Sequence, residues 1–250
     1  MEEKKELRTV KPGDLFRLKF LQDGQLSPDG ETIAYAVSHI DAEKEEYAAI
    51  WLLSLETGES RQLTAGLGMA VGLLFMFAIE KVFVVYGAWM EETFSLSVAA
   101  LGLASSVIGI AEAMGEGASA GLVDRLGKKK AVLGGLLLNA GAYLLLPLLS
   151  GTLVSALVGL FILLLVFEFS IVSYFPLISE LAPGARGTLM ALNVAALSAG
   201  RMAGSLTATP LWLRGGLSLN AVVSCGAALG AFALLLLFVP EPGGSLELER

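Results

Sequence analysis

Cysteine and histidine each occur once in the 250 residues, as Cys225 and His39. A single cysteine excludes disulfides and thiolate-built zinc sites, and no metal or cofactor is expected. Charge is scarce as well, at 16% Asp, Glu, Lys and Arg, against roughly 25% in an ordinary soluble domain. The shortage is uneven: residues 1–65 hold 21 of the 41 charged side chains, and the other 185 residues hold 20. Basic residues outnumber acidic ones in neither part (8 against 13 in front, 9 against 11 behind). Neither part therefore has the cationic surface that nucleic acid requires. The opening Met1-Glu2-Glu3-Lys4-Lys5-Glu6 lacks an apolar core, so no cleavable signal peptide is expected and the N-terminus is placed in the cytosol.

Apolar side chains are abundant, at 55% with a mean hydropathy of +0.71. Concentrated behind residue 65, they would expose far more apolar surface than a soluble protein carries. That part is read as embedded in a bilayer. A hydrocarbon core of about 30 Å takes about 20 residues of helix, and six runs qualify: 67–90, 97–120, 131–149, 152–176, 188–210 and 217–239. Turn chemistry separates them at Glu91-Glu92, Gly127-Lys128-Lys129-Lys130, Ser150-Gly151, Pro183-Gly184 and Arg214-Gly215-Gly216, and Pro240-Glu241-Pro242-Gly243 ends the last. The runs are too long for barrel strands and lack a two-residue period. The expected fold class is an all-α polytopic membrane protein with six transmembrane helices. Arg125, Lys128, Lys129, Lys130 and Arg186 fall in loops on one side and only Arg214 on the other. The basic side faces the cytoplasm, giving a multi-pass inner or plasma membrane protein with both termini inside.

The front segment reads differently. A turn at Pro28-Asp29-Gly30 precedes β-rich runs at Thr32–Val37, Ala49–Leu55 and Ser60–Thr64, which predicts a three-stranded meander. The domain division is a β-rich cytosolic segment at 1–65, a bundle at 66–240 and a cytosolic tail at 241–250. The wording Asp14-Leu15-Phe16-Arg17-Leu18, Leu26-Ser27-Pro28-Asp29-Gly30, Ile50-Trp51-Leu52, Thr57-Gly58-Glu59 and Arg61-Gln62-Leu63-Thr64 resembles one propeller blade at the start of prolyl-oligopeptidase-type serine peptidases. A Ser-His-Asp triad needs a histidine beside its nucleophile. The only histidine, His39, reads as part of a blade loop, so peptidase activity is not expected.

Behind it, Gly121-Leu122-Val123-Asp124-Arg125-Leu126-Gly127-Lys128-Lys129 resembles the loop signature G-x-x-x-D-R-x-G-[RK]-[RK] of the major facilitator superfamily. Gly121, Asp124, Arg125, Gly127, Lys128 and Lys129 would form its gating motif in the inner loop after the second span. An acid there can sit at the positive N-terminus of a neighbouring helix and latch one access state. Glu180-Leu181-Ala182-Pro183-Gly184-Ala185-Arg186-Gly187-Thr188 resembles the inner loop of the C-terminal half of efflux permeases, with Glu180, Pro183, Arg186 and Gly187 as its motif residues. The resemblance covers about 66–240. It implies half of a major-facilitator fold, two three-helix repeats, and secondary transport of small molecules, namely proton-coupled efflux rather than enzymatic chemistry.

Ionisable residues inside spans cost about 2.5–3.5 kcal/mol each at a helix centre and mark working sites. Glu80 and Lys81 lie in the first span, Glu112 and Glu116 on one face of the second, Glu168 in the fourth and Arg201 in the fifth. At about 1.5 Å per residue, Glu80 and Arg201 lie roughly 20 Å from the inner helix ends, and Glu112 and Glu168 about 12 Å. Glu80 or Lys81 is expected to contact Arg201, with Glu112 and Glu168 carrying the proton or cation. The expected partners are the lipid bilayer, a small-molecule substrate, and a second half-transporter or a homodimer, since one half has no opposite wall. Two alternatives stay open: a membrane-anchored adaptor, and a non-functional join of a peptidase start to a transporter end.

Overall fold

The computed structural model describes residues 20–40, 46–181 and 186–239. Residues 1–19, Pro183 and the expected tail 241–250 lie outside the described residues. The chain divides into a strand-bearing unit and a helical unit, Ala65–Val239.

The strand unit is an antiparallel meander of four strands in sequence order, not three: β1 (Phe20–Leu26), β2 (Thr32–Ile40), β3 (Glu46–Ser54) and β4 (Ser60–Gln62). The extra strand, FLQDGQL, lacks the apolar alternation that marks the others, and its register against β2 slips between Leu21 and Asp23. Its pairing partner, rather than its own propensity, makes it a strand. His39 lies within β2, opposite Tyr47, and not in a loop. In the β1–β2 turn the Ser27 hydroxyl and the Glu31 N–H donate to the Asp29 carboxylate, holding its pKa below the usual carboxylate value.

In the helical unit, four helices are uninterrupted: α1 (Leu63–Phe94), α2 (Val98–Leu126), α3 (Lys128–Leu148) and α4 (Leu153–Glu180). The fifth, α5 (Arg186–Phe238), covers 53 residues, about 80 Å if straight. It is not straight. Gly215 and Gly216 leave helical geometry, Gly216 at φ 60° and ψ −150°. The Asn220 amide then donates to the Ala208 carbonyl at 3.2 Å. Twelve residues along a straight helix span about 18 Å, so α5 turns back on itself into limbs 186–214 and 217–238. The expected break at Arg214-Gly215-Gly216 is thus two residues long, and the six expected runs appear as five helices with the last doubled. The Gly216 backbone lies in a region that only glycine occupies comfortably. Gly216→Ala is expected to cost about 1–3 kcal/mol, read as a lower thermal unfolding midpoint in detergent.

Other boundaries also move. Glu91 and Glu92 lie inside α1, and Pro176 and Pro210 lie inside helices rather than ending them. At 29 residues, about 44 Å, α2 outruns a 30 Å core, so Gly121–Leu126 is its last turns rather than a loop. Gly127 alone (φ 84°) links α2 to α3.

Small residues set the helix contacts. A Cβ on Gly200 would run into the Leu73 carbonyl oxygen, and one on Gly204 would come within 2.8 Å of the Glu80 Cβ. The first limb of α5 thus lies parallel to α1. Gly115 meets Leu165 and Glu168, and Ser119 bonds Ser173 at 3.0 Å, so α2 and α4 are parallel too. Gly72 meets Tyr174 while Gly68 meets Ile178, and the second limb places Ser224 on the Ala78 carbonyl and Gly230 beside Leu74. Those pairs are antiparallel, so successive segments alternate in direction. Trp89, near the end of α1, is 1% exposed and packs in the core.

Candidate functional site

Three polar constellations occupy the helical unit. The first joins α1 to the first limb of α5. Glu80 Oε2 lies 3.7 Å from Arg201 Nε, and the Ser205 hydroxyl donates to Glu80 Oε1 at 3.1 Å. The pair is lopsided: the Glu80 side chain is 20% exposed and that of Arg201 61%. Gly200 and Gly204 bring the backbones close enough for this contact. Lys81 takes no part in it. Its side chain is fully buried, Nζ donates to the Phe77 carbonyl at 2.7 Å, and it rests 2.9 Å from the Phe77 ring centroid. A backbone carbonyl and a ring face are the stabilising groups the interior offers this cation.

The second constellation joins α2 to α4. Because Gly115 has no side chain, α2 lies against α4 at Glu168, with Glu112 and Glu116 within electrostatic range of it. Glu112 and Glu168 are half-buried and Glu116 is exposed. Among the described residues these three acids form no ion pair. Farther along the same seam, Ser119 belongs to the string Gly117-Ala118-Ser119-Ala120-Gly121, a G-x-S-x-G match. It sits mid-helix, bonded to Ser173, not on the strand-to-helix elbow that a nucleophile needs.

The third lies at the α2–α3 corner, where the two sequence motifs meet. Lys128 forms an ion pair with Glu180 at the end of α4. Lys129 reaches the Leu236 carbonyl at 3.3 Å, and Arg186 Nε donates to the Ser179 carbonyl at 3.2 Å. Gly121, Asp124, Arg125 and Gly187 are exposed, and Asp124 and Arg125 form no ion pair among the described residues. Within the motif Lys128 therefore makes the carboxylate contact: it begins α3 beside α4, whereas Arg125 lies exposed in the last turn of α2. Lys128→Glu is expected to lower the unfolding midpoint by opposing Glu180, and Lys128→Glu with Glu180→Lys to restore most of it. A midpoint that fell further in the double variant would contradict the pairing.

The sequence pattern does not disclose Ser205, the Lys128–Glu180 pair, or the buried bonds from Tyr174 to the Gly68 carbonyl (3.0 Å) and Asn193 (2.5 Å). The one available signal is spacing: Ser205 follows Arg201 by four residues, on the same helix face.

The description Major Facilitator Superfamily matches residues 68–250. The chain belongs to this superfamily. Its members are transporters rather than enzymes, and the chain is a multi-pass membrane protein. A Bacillus subtilis protein, the uncharacterized MFS-type transporter YceJ, is 33% identical over 124 residues, covering 48% of this chain and 30% of that protein. The crystal structure of the human organic anion transporter MFSD10 (TETRAN) is 25% identical, with a TM-score of 0.55, over 68% of this chain and 39% of that one. The chain thus spans well under half the length of either relative.

Proposed function

We propose that the facilitator unit works as one half of a proton-coupled secondary transporter that exports small molecules, crossing the membrane six times with both termini inside. The observation that carries this reading is the carboxylate group on α2 and α4. Glu112 and Glu116 lie on α2 beside Gly115, where that helix packs against Glu168 of α4, and ionisable side chains within spans are costly and serve ion pathways. A proton taken up on one face and released on the other would couple to rocking of the bundle. Gly121, Asp124, Arg125, Gly127, Lys128 and Lys129, with Glu180, Pro183, Arg186 and Gly187, would form the inner latch, broken and remade in each cycle. The two three-helix repeats would be α1–α3 and α4 with the two limbs of α5.

A half-bundle supplies one wall of a pathway, and a second half or a second copy supplies the other. Leu103 on α2 is 77% exposed, and a Cβ on Gly117 or Gly121 would meet nothing within 4 Å, which leaves that helix open to such a partner. The test is flux in liposomes carrying the chain. An imposed pH gradient should drive accumulation of a fluorescent efflux substrate, and a protonophore should abolish it. Flux indifferent to both would refute the coupling.

A second reading applies to the front unit alone. Four antiparallel strands in sequence order is the plan of one propeller blade, so this unit would serve as a docking module on a cytosolic partner, in line with the adaptor alternative. If removal of residues 1–62 leaves flux and every captured partner unchanged, the join of unrelated pieces is the better account of it.

A further inference from the structure

We propose that Arg201 is the carboxylate-binding group of the transport pathway, and that Glu80 is an internal carboxylate which an organic anion displaces; this rests on the transporter reading above. An arginine keeps its charge at any physiological pH and offers five donors in a planar fork that fits a carboxylate at two points. Here only the Nε edge faces an acid. At 3.7 Å from Glu80 Oε2, it is an ion pair without a hydrogen bond. The two terminal nitrogens donate to nothing among the described residues. Ser205 holds the other oxygen of Glu80, so the acid is anchored on α5 while the guanidinium stays free to turn.

The residues around Arg201 divide the first limb of α5 into distinct faces. On the first limb of α5, Leu189, Asn193, Leu197, Gly200 and Gly204 are buried against the bundle. Leu192, Met202 and Leu206 are exposed, at 52%, 63% and 70%, and at 100° per residue they form a separate aliphatic stripe suited to acyl chains. Ser198, Arg201 and Ser205 fall between the two faces, spaced by three and four residues, with the exposed Val194 a turn before them. An exposed arginine there, mid-span and loosely paired, fits an aqueous pathway. The fork left open fits a monocarboxylate. The chemical class is an organic monocarboxylate.

The test uses the full chain purified in detergent, with 1-naphthylacetate and its neutral amide as probes, and binding read by titration calorimetry. The unmodified chain should prefer the carboxylate by about tenfold, the range of one charge-assisted contact. Arg201→Gln should bring the two probes within about twofold of each other. Glu80→Gln should tighten the carboxylate by about threefold or more, by removing the internal competitor, and leave the amide unchanged. No preference in the unmodified chain, a preference that survives Arg201→Gln, or weaker carboxylate binding in Glu80→Gln would each overturn the proposal. Should Arg201→Gln not fold, the Glu80→Gln arm decides, because a purely structural ion pair predicts loss and not gain. A chain that moves substrate without carboxylate preference keeps the transporter reading and loses this one. A chain silent in flux that shows the preference does the opposite.

Discussion

Gly200→Leu is expected to remove the folded helical unit from detergent extracts, while Gly117→Leu leaves it intact. Both are glycines four residues from another glycine in an apolar helix, and both would pass as close-packing positions. They differ in what a side chain would meet. At Gly200 the first carbon already runs into the Leu73 carbonyl, whereas at Gly117 nothing lies within 4 Å. A carbonyl oxygen in a helix cannot turn aside as a side chain can, so α5 must leave α1. The consequence reaches beyond overpacking, usually about 1–3 kcal/mol, because separation also breaks the Glu80 contacts to Arg201 and Ser205. Against a total stability of about 5–15 kcal/mol for a typical domain, losing that seam is enough to unfold much of the population. Size-exclusion profiles of the two variants side by side would measure this. Equal recovery of both would mean that α1 and α5 do not approach as described.

Glu168→Gln is expected to reduce proton-driven flux by about tenfold or more, equal to about 1.4 kcal/mol on the rate-limiting barrier, and to flatten its dependence on pH. An amide keeps the shape of the acid and cannot exchange a proton. Glu168 packs over Gly115 within electrostatic range of Glu112 and Glu116, so removing its charge also relieves repulsion among the three. The same variant should therefore unfold at a slightly higher temperature while transporting less. That opposition separates a working acid from a structural one, whose loss would lower both. Substrate exchange without net proton movement should survive the change. Glu112→Gln should reproduce the flattened pH profile, and an unchanged profile there would remove Glu112 from the relay.

Much of this unit was legible because lipid imposes one simple demand, long apolar runs whose backbone bonds are satisfied internally. The runs, the Gly215-Gly216 reversal and the charges inside the spans could be read directly. The ends of helices could not. Gly121–Leu126 looks like a loop because it carries Asp124 and Arg125, yet a helix that outruns the apolar core keeps its geometry as its composition changes. Strand β1 was hidden for a related reason: FLQDGQL has no apolar period, and pairing with β2 makes it a strand. Pairwise contacts were the least accessible. Glu80 and Arg201 could be matched by depth along their helices, but choosing Glu80 over Lys81 depends on rotation about α1. The Lys128–Glu180 latch joins two motifs 52 residues apart, and neither motif names the other. Trp89 shows the limit of compositional rules, since an aromatic near a span end packed inward rather than toward the interface.

The account stands on the alternating path of the helical unit through the bilayer, with the Gly127 corner on the cytoplasmic face. Cys225 is the only native cysteine and is buried, so its replacement by serine provides a clean background for single cysteines at Leu126, Gly151 and Leu213. Labelling with a membrane-impermeant maleimide in intact cells should modify Gly151→Cys and Leu213→Cys, and reach Leu126→Cys only after the membrane is opened. Labelling of Leu126→Cys from outside, or of Gly151→Cys and Leu213→Cys on opposite faces, would contradict the path and the roles assigned to its acids.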